Sequence, residues 1–162
     1  MSRTKQQQRD DRIEELGQRI GRELATKTVL FHHAQATRLG LGATDLKCLD
    51  LLRHTETPLT ASSLAQLTGL TGGAITGVAD RLEAAGFVER VRDPEDRRRW
   101  ELRPRPDRLR EITASFAPLA SAMAELCTGY SDAELAVITD FLTKLEAIIE
   151  GETEQLRALS TH

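Results

Sequence analysis

Nine of the 22 basic residues fall within residues 86–110, and all nine are arginine. Guanidinium groups at that density suit phosphate oxygens and the negative potential of a narrow DNA groove. The densest run is Arg97-Arg98-Arg99, preceded by Asp93, Glu95 and Asp96. Three carboxylates beside Pro94 fit a charged turn better than a general acid–base pair. Upstream, Thr71-Gly72-Gly73-Ala74-Ile75-Thr76-Gly77 offers two hydroxyls and bare backbone. That composition suits a helix N-terminus brought close to phosphate. It holds no Arg, Asn or Gln, so bidentate base reading is excluded at these positions. His32, His33 and the two cysteines, Cys48 and Cys127, are the remaining candidates for ligand, metal or redox chemistry. Adjacent histidines on a regular helix cannot both face one ion, so no metal is expected. Two cysteines cannot build a disulfide framework or a closed zinc site. No phosphate-binding glycine loop, Gly-x-Ser-x-Gly or His-Glu-x-x-His occurs, so neither an enzyme nor a cofactor is expected.

These groups need positioning. Ile13, Leu16, Ile20, Leu24, Thr28, Phe31 and Gln35 recur every three or four residues. That spacing predicts a long amphipathic helix, stopped at Gly40-Leu41-Gly42 after a polar, frayed first dozen residues. A second helix runs from Thr44, its expected cap, to His54. Thr60 caps a short helix to Thr68, Gly69 turns the chain, and Thr71 caps a longer one to Ala85, closed by Gly86. Two such helices around a glycine turn make a helix-turn-helix. Phe87–Val91 and Trp100–Leu102 alternate as strands around the Asp93-Pro94 turn, a β-hairpin wing. Pro104 removes a ladder donor and predicts a short second strand. Helices follow to the end, broken at Gly129 and restarted by the Ser131/Glu134 capping box.

The segment LTASSLAQLTGLTGGAITGVADRLEAAGFVERVRDPEDRRRWELR, residues 59–103, carries Leu64-Ala65, Leu70-Thr71, Asp80-Arg81-Leu82-Glu83, Gly86-Phe87-Val88-Glu89-Arg90 and Asp93-Pro94-Glu95-Asp96-Arg97-Arg98 in register. This pattern resembles the multiple-antibiotic-resistance-regulator (MarR) family of bacterial transcription factors, and the order of elements extends the likeness over nearly the whole chain. The resemblance implies a mainly α, winged helix-turn-helix fold. The N-terminal dimerisation helix would cover residues 1–42, the DNA-binding domain 43–106 and the C-terminal dimerisation helices 107–162. It implies a homodimer on a pseudo-palindromic operator in double-stranded DNA, usually a repressor, often released by a small-molecule effector or an oxidant.

On that resemblance the DNA contacts are Thr71, Gly72, Gly73, Thr76, Gly77, Arg81, Arg90, Asp96, Arg97, Arg98 and Arg99. Asp96 and Arg98 match the family's Asp-x-Arg, a brace that would leave Arg97 and Arg99 free to project. Arg81 and Arg90 are expected to pair with Glu or contact phosphates rather than bases. Gly77 stands where many relatives carry a long polar side chain, and Pro104-Arg105 replaces the usual Leu-Thr. His32, His33 and Cys48 flank the region where family members hold their effectors. Cys48 keeps an apolar spacing, which reads as a small buried hydrophobe; a redox sensor using Cys48 or Cys127 is the alternative. A protein-interaction module of the same fold, without DNA binding, is the competing class.

Charge is uneven. The chain is −3 overall, yet residues 1–42 and 86–110 are each +3 and residues 111–162 are −7. The apolar stripes of the first and last helices would stay exposed on a monomer, and pairing between two chains would bury them. No apolar run is long enough to span a bilayer, and no secretory leader is evident, so a reducing cytoplasm is expected.

Overall fold

The computed structural model describes residues 4–55, 58–92 and 100–159. It contains two compact units, residues 1–109 and 110–162.

The first unit opens on a continuous helical rod. Helix α1 (Lys5–Gln18), a π-helical segment (Arg19–Leu24) and α2 (Ala25–Arg38) follow one another with right-handed helical backbone at both junctions. Helix begins at Lys5, earlier than a frayed dozen residues would allow. Thr4 is the reason: its hydroxyl accepts from the Gln7 amide, and the Gln7 side chain accepts from the Thr4 amide at 3.0 Å. That reciprocal pair satisfies two orphan donors of the first turn.

Helix α3 (Ala43–His54) is capped at Gly42 rather than Thr44. The Gly42 amide donates to the Asp45 carboxylate at 3.1 Å, so the capping group lies inside the helix. Strand β1 (Leu59–Thr60) leads into α4 (Ala61–Thr68), whose first turn Thr60 caps by accepting from the Ser63 amide. Gly69 ends α4 at φ +72°, a left-handed cap that glycine adopts without a Cβ penalty. Helix α5 (Gly72–Ala84) follows, capped by Thr71. Gly86 at φ +75° then turns the chain so that the Phe87 amide reaches back to Leu82 O at 2.9 Å. This closure drops the Phe87 ring, fully buried, into the core directly after the helix.

Strands β2 (Val88–Arg92) and β3 (Trp100–Pro104) form the wing hairpin, with β3 at the centre of a three-stranded antiparallel sheet in the order β1-β3-β2. The register pairs Val88 with Pro104, Arg92 with Trp100 and Leu59 with Leu102. The second strand thus extends two residues past Leu102. Pro104 is tolerated because it occupies the last rung, where a missing donor costs least. The third strand, only two residues long, carries no periodicity from which it could be read.

Leu49, Leu64, Ile75, Leu82 and Phe87 are fully buried, with Leu46, Val78, Ala79, Val88 and Leu102 around them. Burying each large aliphatic or aromatic side chain contributes roughly 1.5–3 kcal/mol. This core fixes α5 against α3, α4 and the sheet, and so fixes which face α5 presents outward.

Helix α6 (Pro106–Cys127) crosses the boundary between the units, and α7 (Asp132–Leu159) completes the second. Ser131 and Glu134 form the expected capping box, with the Ser131 amide donating to Glu134 at 2.8 Å. The Ser131 hydroxyl, donating to the same carboxylate at 2.7 Å, and the Ser131 amide hold the Glu134 carboxyl below its usual range. The α7 residues Val137, Ile138, Phe141, Leu142, Ile148, Ile149, Leu156 and Leu159 are all exposed. No helix among the described residues is long and apolar enough to cross a membrane.

Candidate nucleic-acid interface

Helix α5 turns two faces in opposite directions. Ile75, Val78, Ala79 and Leu82 anchor one in the core, while Thr71, Gly72, Gly73, Ala74 and Thr76 are exposed on the other. The Thr71 hydroxyl accepts from the Ala74 amide at 3.3 Å, which leaves its own proton to donate outward. Thr76 donates back to Gly72 O at 2.9 Å, so its hydroxyl meets a ligand as an acceptor. The first turn therefore offers unpaired amides, one hydroxyl donor and little side-chain bulk, arranged for an anion at the positive end of the helix dipole.

Two arginines predicted to touch DNA are engaged within the protein. Arg81 grips Asp45 through Nη2 at 2.7 Å and Nε at 2.9 Å. Asp45 is buried, whereas the Arg81 side chain is 58% exposed. The hydrogen bonds to Asp45 and its negative charge raise the Arg81 pKa further above its ordinary value. Gly77 leaves room beside this pairing: a Cβ there would stand 3.2 Å from Arg81 Nη1, close enough that the guanidinium would have to shift by a few tenths of an ångström. Arg90, on β2, pairs with Asp80 and, at 2.9 Å, with Glu83, both on α5. Helix α5 is thus tied to α3 by a bidentate arginine and to the wing strand by an arginine that bridges two carboxylates.

The hairpin and the residues after it carry further arginines. Arg92 stacks over the Trp100 ring at 4.6 Å and closes the last described rung. Arg103 pairs with Glu101 at 2.8 Å, and Arg105 is exposed where its amide joins Phe87 O. Arg108 is turned inward, over the Phe87 ring at 4.3 Å. Asp96, Arg97, Arg98 and Arg99, together with the expected Asp96–Arg98 brace, lie outside the described residues.

The effector candidates separate. His32 is half-buried, edge-on to Phe31 with ring centroids 5.8 Å apart, and His33 is exposed. Cys48 is buried in α3. Burial pushes its thiol pKa up, Asp45 adds to that, and Arg81 opposes it. A protonated, enclosed thiol behaves as a small hydrophobe. Cys127 is exposed.

Asp45, Asp80, Glu83 and Trp100 are the functional residues that sequence reasoning missed. Asp45 and Arg81 are 36 positions apart, and no local pattern links them. The Asp80-Arg81-Leu82-Glu83 block, legible as a motif, gave no sign that its acids would face β2.

The MarR family model matches residues 41–100, which span α3 to the start of β3. The chain is 42% identical over 145 residues to the uncharacterized HTH-type transcriptional regulator YcgE of Bacillus subtilis (strain 168), covering 90% of this chain and 94% of that protein. Its fold is similar to a crystal structure of a MarR family transcription regulator, with a TM-score of 0.73 at 20% identity, covering 93% of this chain and 99% of that one. It is also similar to a MepR variant from S. aureus bound to an oligodeoxyribonucleotide, with a TM-score of 0.57 at 18% identity, covering 80% and 95% of the two chains.

Proposed function

The chain belongs to the MarR family of transcription regulators, which are not enzymes, and on that premise we propose that it is a cytoplasmic homodimer that binds a pseudo-palindromic operator in double-stranded DNA, represses transcription and releases the operator on binding a small-molecule effector. The observation that carries DNA binding is the first turn of α5. Its amides and the Thr71 hydroxyl face outward while its other face and both flanking arginines lock it to the domain.

In this reading α5 enters the major groove by its N-terminus. Gly72 and Gly73 allow close backbone approach, and Thr71 and Thr76 contribute hydroxyls. Phosphate and minor-groove contacts are assigned to the wing arginines Arg97, Arg98 and Arg99, with Asp96 among the DNA-binding residues by the resemblance in sequence. Arg81 and Arg90 orient α5 rather than read bases, because both guanidiniums are committed to carboxylates. Dimerisation would cover the exposed apolar faces of the terminal helices, which no soluble monomer of this size leaves open without cause. For the effector, half-buried His32 beside Phe31 is a better polar contact than exposed His33, and buried Cys48 supplies wall rather than chemistry.

Fluorescence-anisotropy titration of a duplex spanning the promoter of the protein's own gene tests the reading. Two protomers should bind each site, and affinity should fall steeply with salt. Undetectable binding at low salt would favour a protein-interaction module instead.

A further inference from the structure

Two exposed stripes, one basic on α1 and one acidic on α7, have no counter-charge among the described residues. Lys5, Arg9 and Arg12 are spaced to share one face of α1 and are exposed, and none of them enters an ion pair among the described residues. No acid occupies the first turn of α1, so Lys5 faces the positive end of the helix dipole uncompensated. Glu146, Glu150 and Glu154 are likewise exposed at four-residue spacing in the second half of α7, without an ion pair among the described residues. Like charges one helical turn apart add further repulsion on each stripe.

The stripes match in length. At 1.5 Å per residue, Lys5 to Arg12 spans about 10 Å and Glu146 to Glu154 about 12 Å. Each also runs into exposed apolar surface. Leu16 continues the face of Lys5, Arg9 and Arg12, with Ile13 at its edge; Leu142, Ile149 and Leu156 run beside the glutamates at seven-residue spacing. A partner for either stripe must therefore be charged at one part and apolar at the next.

We infer that the occupant of each stripe is a second copy of this chain: Lys5, Arg9 and Arg12 of one protomer pair with Glu146, Glu150 and Glu154 of its partner. This rests on the homodimer proposed above and adds to it a charged latch, present twice in a two-fold dimer. The latch relieves the like-charge repulsion on both helices at once. It also sets the register in which the apolar faces meet.

A charge-exchange experiment on the full chain tests it. One variant carries Lys5→Glu, Arg9→Glu and Arg12→Glu; the other carries Glu146→Lys, Glu150→Lys and Glu154→Lys. Each alone places like charges at both latches and should weaken its homodimer by about tenfold or more in sedimentation equilibrium. Mixed in equal amounts, they restore opposite charges at both latches, so native mass spectrometry should find the heterodimer in clear excess over either homodimer. Variants that self-associate like wild type overturn the latch. So does weakening without rescue on mixing, which would mean that the two stripes do not face each other across the dimer. A monomeric wild-type protein would overturn the dimer itself, a distinguishable result. Should a variant fail to fold by circular dichroism, salt decides with the wild-type protein. Its dimer dissociation constant should rise several-fold from low to high salt, and a salt-independent constant contradicts the latch.

Discussion

Arg81, on the exposed side of α5, closes a bidentate ion pair on Asp45, which is buried at the start of α3 and also receives the Gly42 amide. One carboxylate thereby caps one helix and fixes the rotation of another. Asp45→Ala removes both functions and should destabilise the domain by about 1–2 kcal/mol, the sum of a lost cap and partly solvated hydrogen bonds. Arg81→Ala should also destabilise it, because the buried carboxylate keeps only an amide partner. The double variant should cost less than the two single losses combined. Urea unfolding of the four proteins measures this coupling, and strict additivity would mean that the pair carries no stability.

Gly77 weighs two opposing effects. Alanine at an interior helix position gains about 1 kcal/mol over glycine. Here the new methyl would press on the Arg81 guanidinium at 3.2 Å. Gly77→Ala should therefore stabilise the wild-type protein less than it stabilises Arg81→Ala, where the space is open. Equal gains in both backgrounds, read from thermal unfolding, would show that the contact is immaterial.

Ile149 is 56% exposed within its own chain. Ile149→Asp should leave helicity intact, since an exposed side chain contributes little to the fold of one chain. It should nevertheless convert the dimer to monomer and abolish operator binding. Light scattering and circular dichroism on the same sample separate these effects. An undisturbed dimer would place the interface elsewhere.

The cysteines should react differently. Cys127 should label with iodoacetamide in the native protein near neutral pH, whereas Cys48 should resist, being enclosed and held protonated by burial. The sign follows from the raised folded pKa: Cys48's contribution to stability is complete below the ordinary thiol range and is lost as pH rises through the folded value. Cys48 labelling should therefore appear only in alkali, together with loss of stability. Rapid native labelling of Cys48, mapped by mass spectrometry, would reinstate a redox role.

Most of the architecture was legible because its signals are local. Thr60, Gly69, Thr71 and Gly86 each determine a cap or turn from their own chemistry, and the structure puts a helix end at all four. Thr44 misled for an equally local reason: it is a good cap by residue type, but Asp45 is the group that reaches the free amide. Strand β1 was invisible because two residues have no period, and its existence depends on Leu102, some forty positions away. The same holds for the site. Exposed Thr71, Gly72 and Thr76 could be read from a helix wheel, whereas the partners of Arg81 and Arg90 emerge only when α3 and β2 fold against α5.

In the proposed reading, α5 and the wing form one electrostatic surface for DNA, with the wing arginines dominant. Arg97 is the sharpest point of attack: by its place in the sequence at the hairpin tip, Arg97→Ala should cost about 1–3 kcal/mol of operator affinity and relax preference for A/T-rich flanks. Thr76→Ala should cost less, since the Thr76 proton is already given to Gly72 O. The most direct measurement is a salt series of anisotropy titrations on the promoter duplex, comparing wild type, Thr76→Ala and Arg97→Ala. The account predicts a steep negative slope of log affinity against log salt, made shallower by Arg97→Ala and unchanged by Thr76→Ala. A slope near zero for wild type, or an Arg97→Ala protein that binds A/T-rich and G/C-rich flanks as wild type does, would contradict it.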